Sequence, residues 1–317
     1  MINRTIIRTR VIQTLYAYYE CGDKTSLSAK KELLKSFSDT YSLYMLLLDF
    51  INELTSYAES MISDANAIAK ATHTEYKSNR KFVENKFAMQ VFNNYQLRNY
   101  ISEQHLSWEA GLGAAKSVYQ QLIIHPAYIE YMSNPKNGYA EDKKIWRKIF
   151  SDIIPNNEGF YNALEEVELN AGAANWQSDL ETIISYVLKT IKKFNEGNGA
   201  QQLLLEMFEN EPEVEFATSL LQKSIDNYET TSKLISEHLK NWDMTRIAFM
   251  DKIILQAALT EIMNYPDIAL QISLNEYIEI AKEYSGEKSH IFINGILNEI
   301  LQEMKANNTL LKAMTIK

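Results

Sequence analysis

"NWDMTRIAFMDKIILQAALTEIMNYPDIALQISLNEYIEIAKEYSGEKSHIFINGILNEI", residues 241–300, decides the fold class. In its first block Ile247, Met250, Ile254, Ala257 and Ala258 recur at helical spacing, and Asp243 stands where an N-cap belongs. This predicts a helix over 243–264. Pro266 breaks the pattern, and Ser273 with Glu276 makes a capping box that predicts a second helix over 274–284. "SGEKS" stops it, and Ser289 is placed to cap a third helix over 289–304. Gly295 falls in that helix's second turn. Glycine inside a helix costs about 1 kcal/mol relative to alanine, so this one predicts close approach of something, another helix or a ligand.

Outward from this stretch the same periodicity continues. Pro212 in "PEVEF", with acids around it, marks a helix start and predicts helices over 201–209 and 212–239. Residues 212–304 then form a run of four helices with short connections, enough for a bundle. At the other end Ile7, Val11, Leu15 and Tyr18 lie on one stripe of a first helix over about 3–20. Residues 38–71 read as a long second helix with a buried centre at "YMLLLDFI". A helical run covers 85–135 and stops at "NPKNG". Helices over 138–151 and 159–168 flank "DIIPNNEG", and "NWQSDLETIISYVLKTIKKF" runs to a break at "NEGNG". Only 10 glycines and 5 prolines punctuate 317 residues, and no strand alternation competes, so the expected class is all-α.

Composition bounds the function. A hydrophobic content of 46% suits a folded domain or two. Cys21 is the single cysteine, which forbids an internal disulfide and points to a reducing compartment. No apolar stretch is long enough for a membrane span and "MINRTIIRTRVIQ" has no signal-peptide core, so a cytoplasmic address is expected. The net charge of −9 argues against wholesale coating by nucleic acid. It is unevenly spread: residues 1–35 carry seven Lys and Arg against three acids, and residues 206–240 carry eight acids against three Lys. The basic segment reads either as a hint of an anionic partner or as a solvated lysine-rich loop around 24–35.

Motifs for catalysis are not found. "GLGAAKS" at 111–117 lacks the glycine before the lysine and the preceding strand of a phosphate loop. His73, His105, His125, His238 and His290 show neither an HExxH motif nor zinc-ligand spacing with cysteine. The chain is therefore expected not to be an enzyme and to need no cofactor.

The two ends carry a resemblance. "NWDMTRIAFMDKIILQAALTEI", Pro266, "NEYIEIAK" and "SHIFINGIL" resemble the C-terminal helices of the NusB family of transcription antitermination factors, and "RTIIRTRVIQTLYAYY" is similar to that family's first helix. The resemblance implies an all-α helical bundle of two packed NusB-like subdomains, with an additional helical insertion because typical members are far shorter. Residues 1–35 would be the first helix of that fold, 36–205 an insertion of unknown role, 206–306 the C-terminal bundle and 307–317 a tail. It also implies binding of boxA-type single-stranded RNA together with the ribosomal protein NusE, within an antitermination complex with RNA polymerase that supports rRNA transcription. The family's arginine-rich start is thinned here to Arg4, Arg8 and Arg10, and Gln256 stands where an arginine usually follows the Ile-Leu pair. NusB-like domains also occur fused to RNA cytosine methyltransferases, but no glycine-rich strand-to-helix turn is present here. A helical protein-interaction scaffold that has lost RNA binding is the alternative.

Residue by residue, Arg4 and Arg8 fall about 40° apart on the first helix and could straddle adjacent phosphates, with Arg10 pointing elsewhere. Lys288, His290 and Phe292 gather at the start of the last helix, where free amides attract phosphate and a ring offers a base a stacking surface. Core packing is the competing role for Phe292. Gly295 is expected to let two helices approach. Tyr16 and Asp251 match positions that in the family contact NusE, against the plainer roles of a bundle-edge ring and an ordinary surface acid.

Overall fold

The computed structural model describes residues 1–22, 24–75, 78–136, 138–208, 211–239 and 247–310. The Asp243 cap lies outside the described residues. Among those described there are fourteen α-helices and no strand, only one isolated parallel bridge between Ile2 and Phe208. The all-α expectation holds. The chain divides into two compact units, residues 38–207 with Met1, and residues 2–37 with 208–317.

The second unit contains α1 (Arg4–Cys21), the first part of α2 (Ser26–Ala71), α10 (Glu211–Asp226), α11 (Tyr228–Glu237), α12 (Phe249–Asn264), α13 (Leu270–Tyr284) and α14 (Ser289–Ala306). Asn3 caps α1 by accepting from the Ile6 amide at 3.0 Å, and Gly22 ends it at φ 64°, a conformation that favours glycine. Ile7, Val11 and Leu15 are buried as the stripe predicts. The central element is α12, which packs against α1, α10, α11, α13 and α14. Every residue from Ile253 to Ile262 is buried, so this helix has no solvent stripe to read.

Several boundaries differ from expectation. The lysine-rich stretch after Thr25 is not a loop: α2 begins at Ser26, because Ala29, Leu33 and Phe37 repeat at four-residue spacing and are fully buried. The expected helix over 212–239 is interrupted at Asn227. The expected helix over 201–209 does not form; a 3-10 turn over Glu196–Gln201 gives way to non-helical chain. The Ser273–Glu276 capping box is not made. Helix α13 already starts at Leu270, and the Ser273 hydroxyl donates instead to buried Glu261 at 2.6 Å.

The first unit holds the rest of α2 with α3 (Lys86–Phe92), α4 (Tyr95–Glu103), α5 (Gly113–Leu122), α6 (Pro126–Ser133), α7 (Tyr139–Lys148), α8 (Glu158–Ala171) and α9 (Trp176–Lys193). What reads as one helical run over 85–135 is four short helices. Asparagine explains two of the starts: Asn85 accepts from the Ala88 amide at 2.9 Å and Asn94 from the Leu97 amide at 3.0 Å, so each side chain opens a new helix. The "YMLLLDFI" centre is buried as expected, and Phe50 meets Trp108 and Phe160 at ring-centroid distances of 4.9 and 5.0 Å. Gly111 is a true close-approach glycine, since a Cβ there would sit 2.8 Å from the Ala163 carbonyl oxygen.

Candidate nucleic-acid and partner interface

Helix α14 starts from an exposed lysine. Lys288 occupies the N-cap position, no side chain caps the helix, and its first turn contains no acid. The positive end of an 18-residue helix is therefore open, with Lys288 adding a formal charge. Beside it lies a groove of about 590 Å³, walled by Ile247, Ala248, Ile291 and Phe292 and edged by Lys288 and Asp251. Phe292 is half-buried and Ile291 is 63% exposed, so the groove offers both a ring and an aliphatic surface. His290 is half-buried, and its Nδ1 is buried with no hydrogen-bond partner among the described residues.

Ser289 does not cap α14, contrary to the sequence reading. Its hydroxyl donates to Asp251 Oδ2 at 3.0 Å, and the Ser285 hydroxyl donates to Asp251 Oδ1. Asp251 is thus no exposed acid. It is buried, and its carboxylate ties α12 to the turn between α13 and α14, which sets where the groove's lysine edge stands. Tyr16 is half-buried, its ring 5.1 Å from that of Phe249, immediately after groove residues Ile247 and Ala248.

The three arginines of α1 separate. Arg4 is exposed, its guanidinium 4.8 Å from the centroid of Phe216. Arg8 is buried and engaged by Glu261, Nε to Oε2 at 2.8 Å and Nη2 to Oε1 at 3.0 Å, with Glu276 at 3.5 Å. Burial opposes the Arg8 charge, but the hydrogen bond and the charge of Glu261 outweigh it and the pKa rises. Glu261 is fully buried and also accepts from Ser273 and from the Tyr277 hydroxyl at 3.1 Å. Burial, then the negative charge of Glu261, pushes Tyr277 well above the ordinary phenol range. Arg8 therefore cannot straddle phosphates with Arg4: the 40° between them crosses from the solvent face to the core. Arg10 is buried as well and donates to Gln13 at 2.6 Å. Gln256 is also inside, donating to the Tyr19 hydroxyl at 2.7 Å and the Ser224 carbonyl at 2.6 Å.

Gly295 corrects the sequence reading in the opposite sense. It is exposed, and a Cβ built there meets nothing within 4 Å. Within the protein no helix approaches it. With Asn294 also exposed, the α14 face beyond the groove is bare backbone and small polar surface. Along α1, Arg4 and Tyr16 are twelve residues and so about 18 Å apart, which separates the arginine from the Tyr16 end of the groove. Among the described residues no group of His, Cys, Asp or Glu side chains is placed to hold a metal ion, and no helix is long and apolar enough to cross a membrane.

Comparison with known proteins follows this geometry. A model of the NusB family matches residues 163–302, from within α8 into α14, and leaves α1 outside the match. The chain is 34% identical over 124 residues to the transcription antitermination protein NusB of Thermodesulfovibrio yellowstonii, covering 39% of this chain and 78% of that protein. With the NusB of Methylacidiphilum infernorum it shares 35% identity over 115 residues, 35% of this chain and 80% of the relative. With that of Chloroherpeton thalassium it shares 35% over 99 residues, 31% of this chain but about half, 47%, of the relative's length. A solved structure of T. maritima NusB matches at 28% identity over 45% of this chain and 85% of that one, with a TM-score of 0.29.

Proposed function

The chain belongs to the NusB family of transcription antitermination proteins, and from that premise we propose that it binds boxA-type single-stranded RNA together with the ribosomal protein NusE, supporting rRNA transcription in a complex with RNA polymerase. The observation that carries this reading is the groove at the open N-terminus of α14, where Lys288, Phe292 and uncapped amides stand together. That set suits a single strand: the helix end and lysine take phosphate, and the ring takes a base. His290 adds a ring nitrogen with no partner. Arg4, exposed further along α1, contributes a phosphate contact from a strand several nucleotides long. Arg8 and Arg10 drop out as contacts, being held in the core. Tyr16 and the exposed Asn294–Gly295 surface are the proposed NusE side, and Asp251 serves it by positioning the turn before α14.

The proposed division keeps residues 36–205 as a helical insertion between the first helix and the C-terminal bundle of 206–306. One observation favours the scaffold alternative: of three arginines on α1, one alone reaches solvent. The two readings part in an anisotropy titration of the full chain with boxA-like RNA, with and without NusE, at several salt concentrations. Antitermination-type binding shows salt-dependent affinity that NusE enhances, weakened by Phe292→Ala by about 1–3 kcal/mol with little change in salt slope. No RNA binding in either setting would leave the scaffold.

A further inference from the structure

A second groove lies in the first unit, away from any residue discussed above. It has a volume of about 360 Å³ and runs between α2 and α3, lined by Asn52, Thr55, Ser56, Glu59, Val83, Ala88, Met89, Phe92 and Asn93. Met89 and Phe92, one helical turn apart on α3, are 53% and 52% exposed, and Tyr95 at the start of α4 is 62% exposed. Three large apolar side chains exposed within seven residues need an explanation, because scattered singles are ordinary but a contiguous set beside a concave surface marks an interaction site.

Asn52 supplies the second observation. It is 9% exposed, and its Nδ2 donates to Asp49 Oδ1 at 2.9 Å. The same carboxylate oxygen takes the Arg98 guanidinium, whose carbon also sits 5.6 Å from the Phe92 ring centroid. Asp49 therefore fixes which way the amide is turned. Asn52 Oδ1, on the other side, is buried and has no hydrogen-bond partner. An unsatisfied buried carbonyl costs about 1–3 kcal/mol, and a donor entering the groove would relieve it. The charge around the groove selects among donors. Asp49, Glu53 and Glu59 line this side of α2; Arg98 is held by Asp49 and Arg80 by Glu59, at 2.9 and 3.0 Å. Burial and then Asp49 push the Glu53 carboxyl up, the mark of excess negative charge. A phosphate backbone is disfavoured here.

We propose that this groove is a docking site for another protein, which inserts a tryptophan side chain between Met89 and Phe92 and donates its indole N–H to Asn52 Oδ1. Indole combines a large apolar body with one donor and no acceptor, which matches an apolar slot whose one open polar atom is an acceptor. Met89 adapts to the ring through its flexible thioether. A volume near the lower end of ligand-pocket sizes, roughly 300–1,000 Å³, suits one such side chain.

The test uses the full chain labelled at its methionine methyls, with the Met89 signal assigned from Met89→Leu, titrated with N-acetyl-tryptophanamide. The expected result is a saturable shift of the Met89 signal. Affinity should fall about tenfold both for the indole-N-methylated analogue and for Asn52→Ala, one lost hydrogen bond. Phe92 is half-exposed, so Phe92→Ala should fold normally and bind more weakly still. Equal binding of the methylated probe, or no shift of Met89, overturns the proposal. So does a Met89 shift induced by single-stranded RNA, or a self-association in sedimentation that Phe92→Ala abolishes, since the occupant would then be nucleic acid or a second copy.

Discussion

Arg8→Ala separates a phosphate contact from a core ion pair. In the structure the Arg8 guanidinium makes two hydrogen bonds to Glu261, and both side chains are inaccessible to water. Removing one partner of such a pair costs about 3–5 kcal/mol, chiefly because the other charge is left buried. Glu261 would keep Ser273 and Tyr277 as donors, which places the expected loss near 3 kcal/mol. For a unit of this size roughly 4 °C is lost per kcal/mol, so the melting temperature should fall by about 12 °C in a calorimetric or circular dichroism scan. Arg8→Met combined with Glu261→Gln should recover much of the loss, because no charge is then stranded. At a temperature where the single variant remains folded, its RNA affinity should keep the parent's salt dependence. A variant that melts like the parent, while its log–log salt slope flattens by about 0.7, would refute the buried-pair reasoning and return Arg8 to the RNA surface.

Gly295→Ala should raise stability by about 1 kcal/mol, since the new methyl meets nothing and helix propensity improves; a simultaneous loss of NusE or RNA affinity would mark that bare backbone as a contact surface. Asp251→Ala should cost about 2 kcal/mol in denaturant unfolding by leaving the Ser285 and Ser289 hydroxyls without their acceptor, whereas an unchanged midpoint would restore Asp251 as a surface residue. Tyr19 and Tyr44 are raised by burial from 10.0 to about 12, so the stability they contribute is complete below pH 10 and lost as pH climbs from there through 12; phenolate absorbance should show both still protonated in the folded protein at pH 11.

Local pattern decided a good deal about this chain. Helical class follows from periodicity and the scarcity of breakers, and α1, the α2 centre, α9, α13 and α14 are recognisable within a few residues because each buries one face and leaves the other wet. Family membership was legible too, since the C-terminal motif residues are contiguous along the chain. Exposure was not. Arg4 and Arg8 look equivalent on a helical wheel, yet one lies over Phe216 in solvent and the other is paired with Glu261, 253 residues away. Asp251 reads as a surface acid until Ser285 and Ser289 are brought against it. Gly295 and Gly111 exchange roles for the same reason: which glycine meets a neighbour depends on where another helix lands. Each of these outcomes is set by contacts between segments far apart in the chain, to which a period of 3.6 residues is blind. Periodicity reports how a helix divides its faces, and only tertiary packing determines what each face meets.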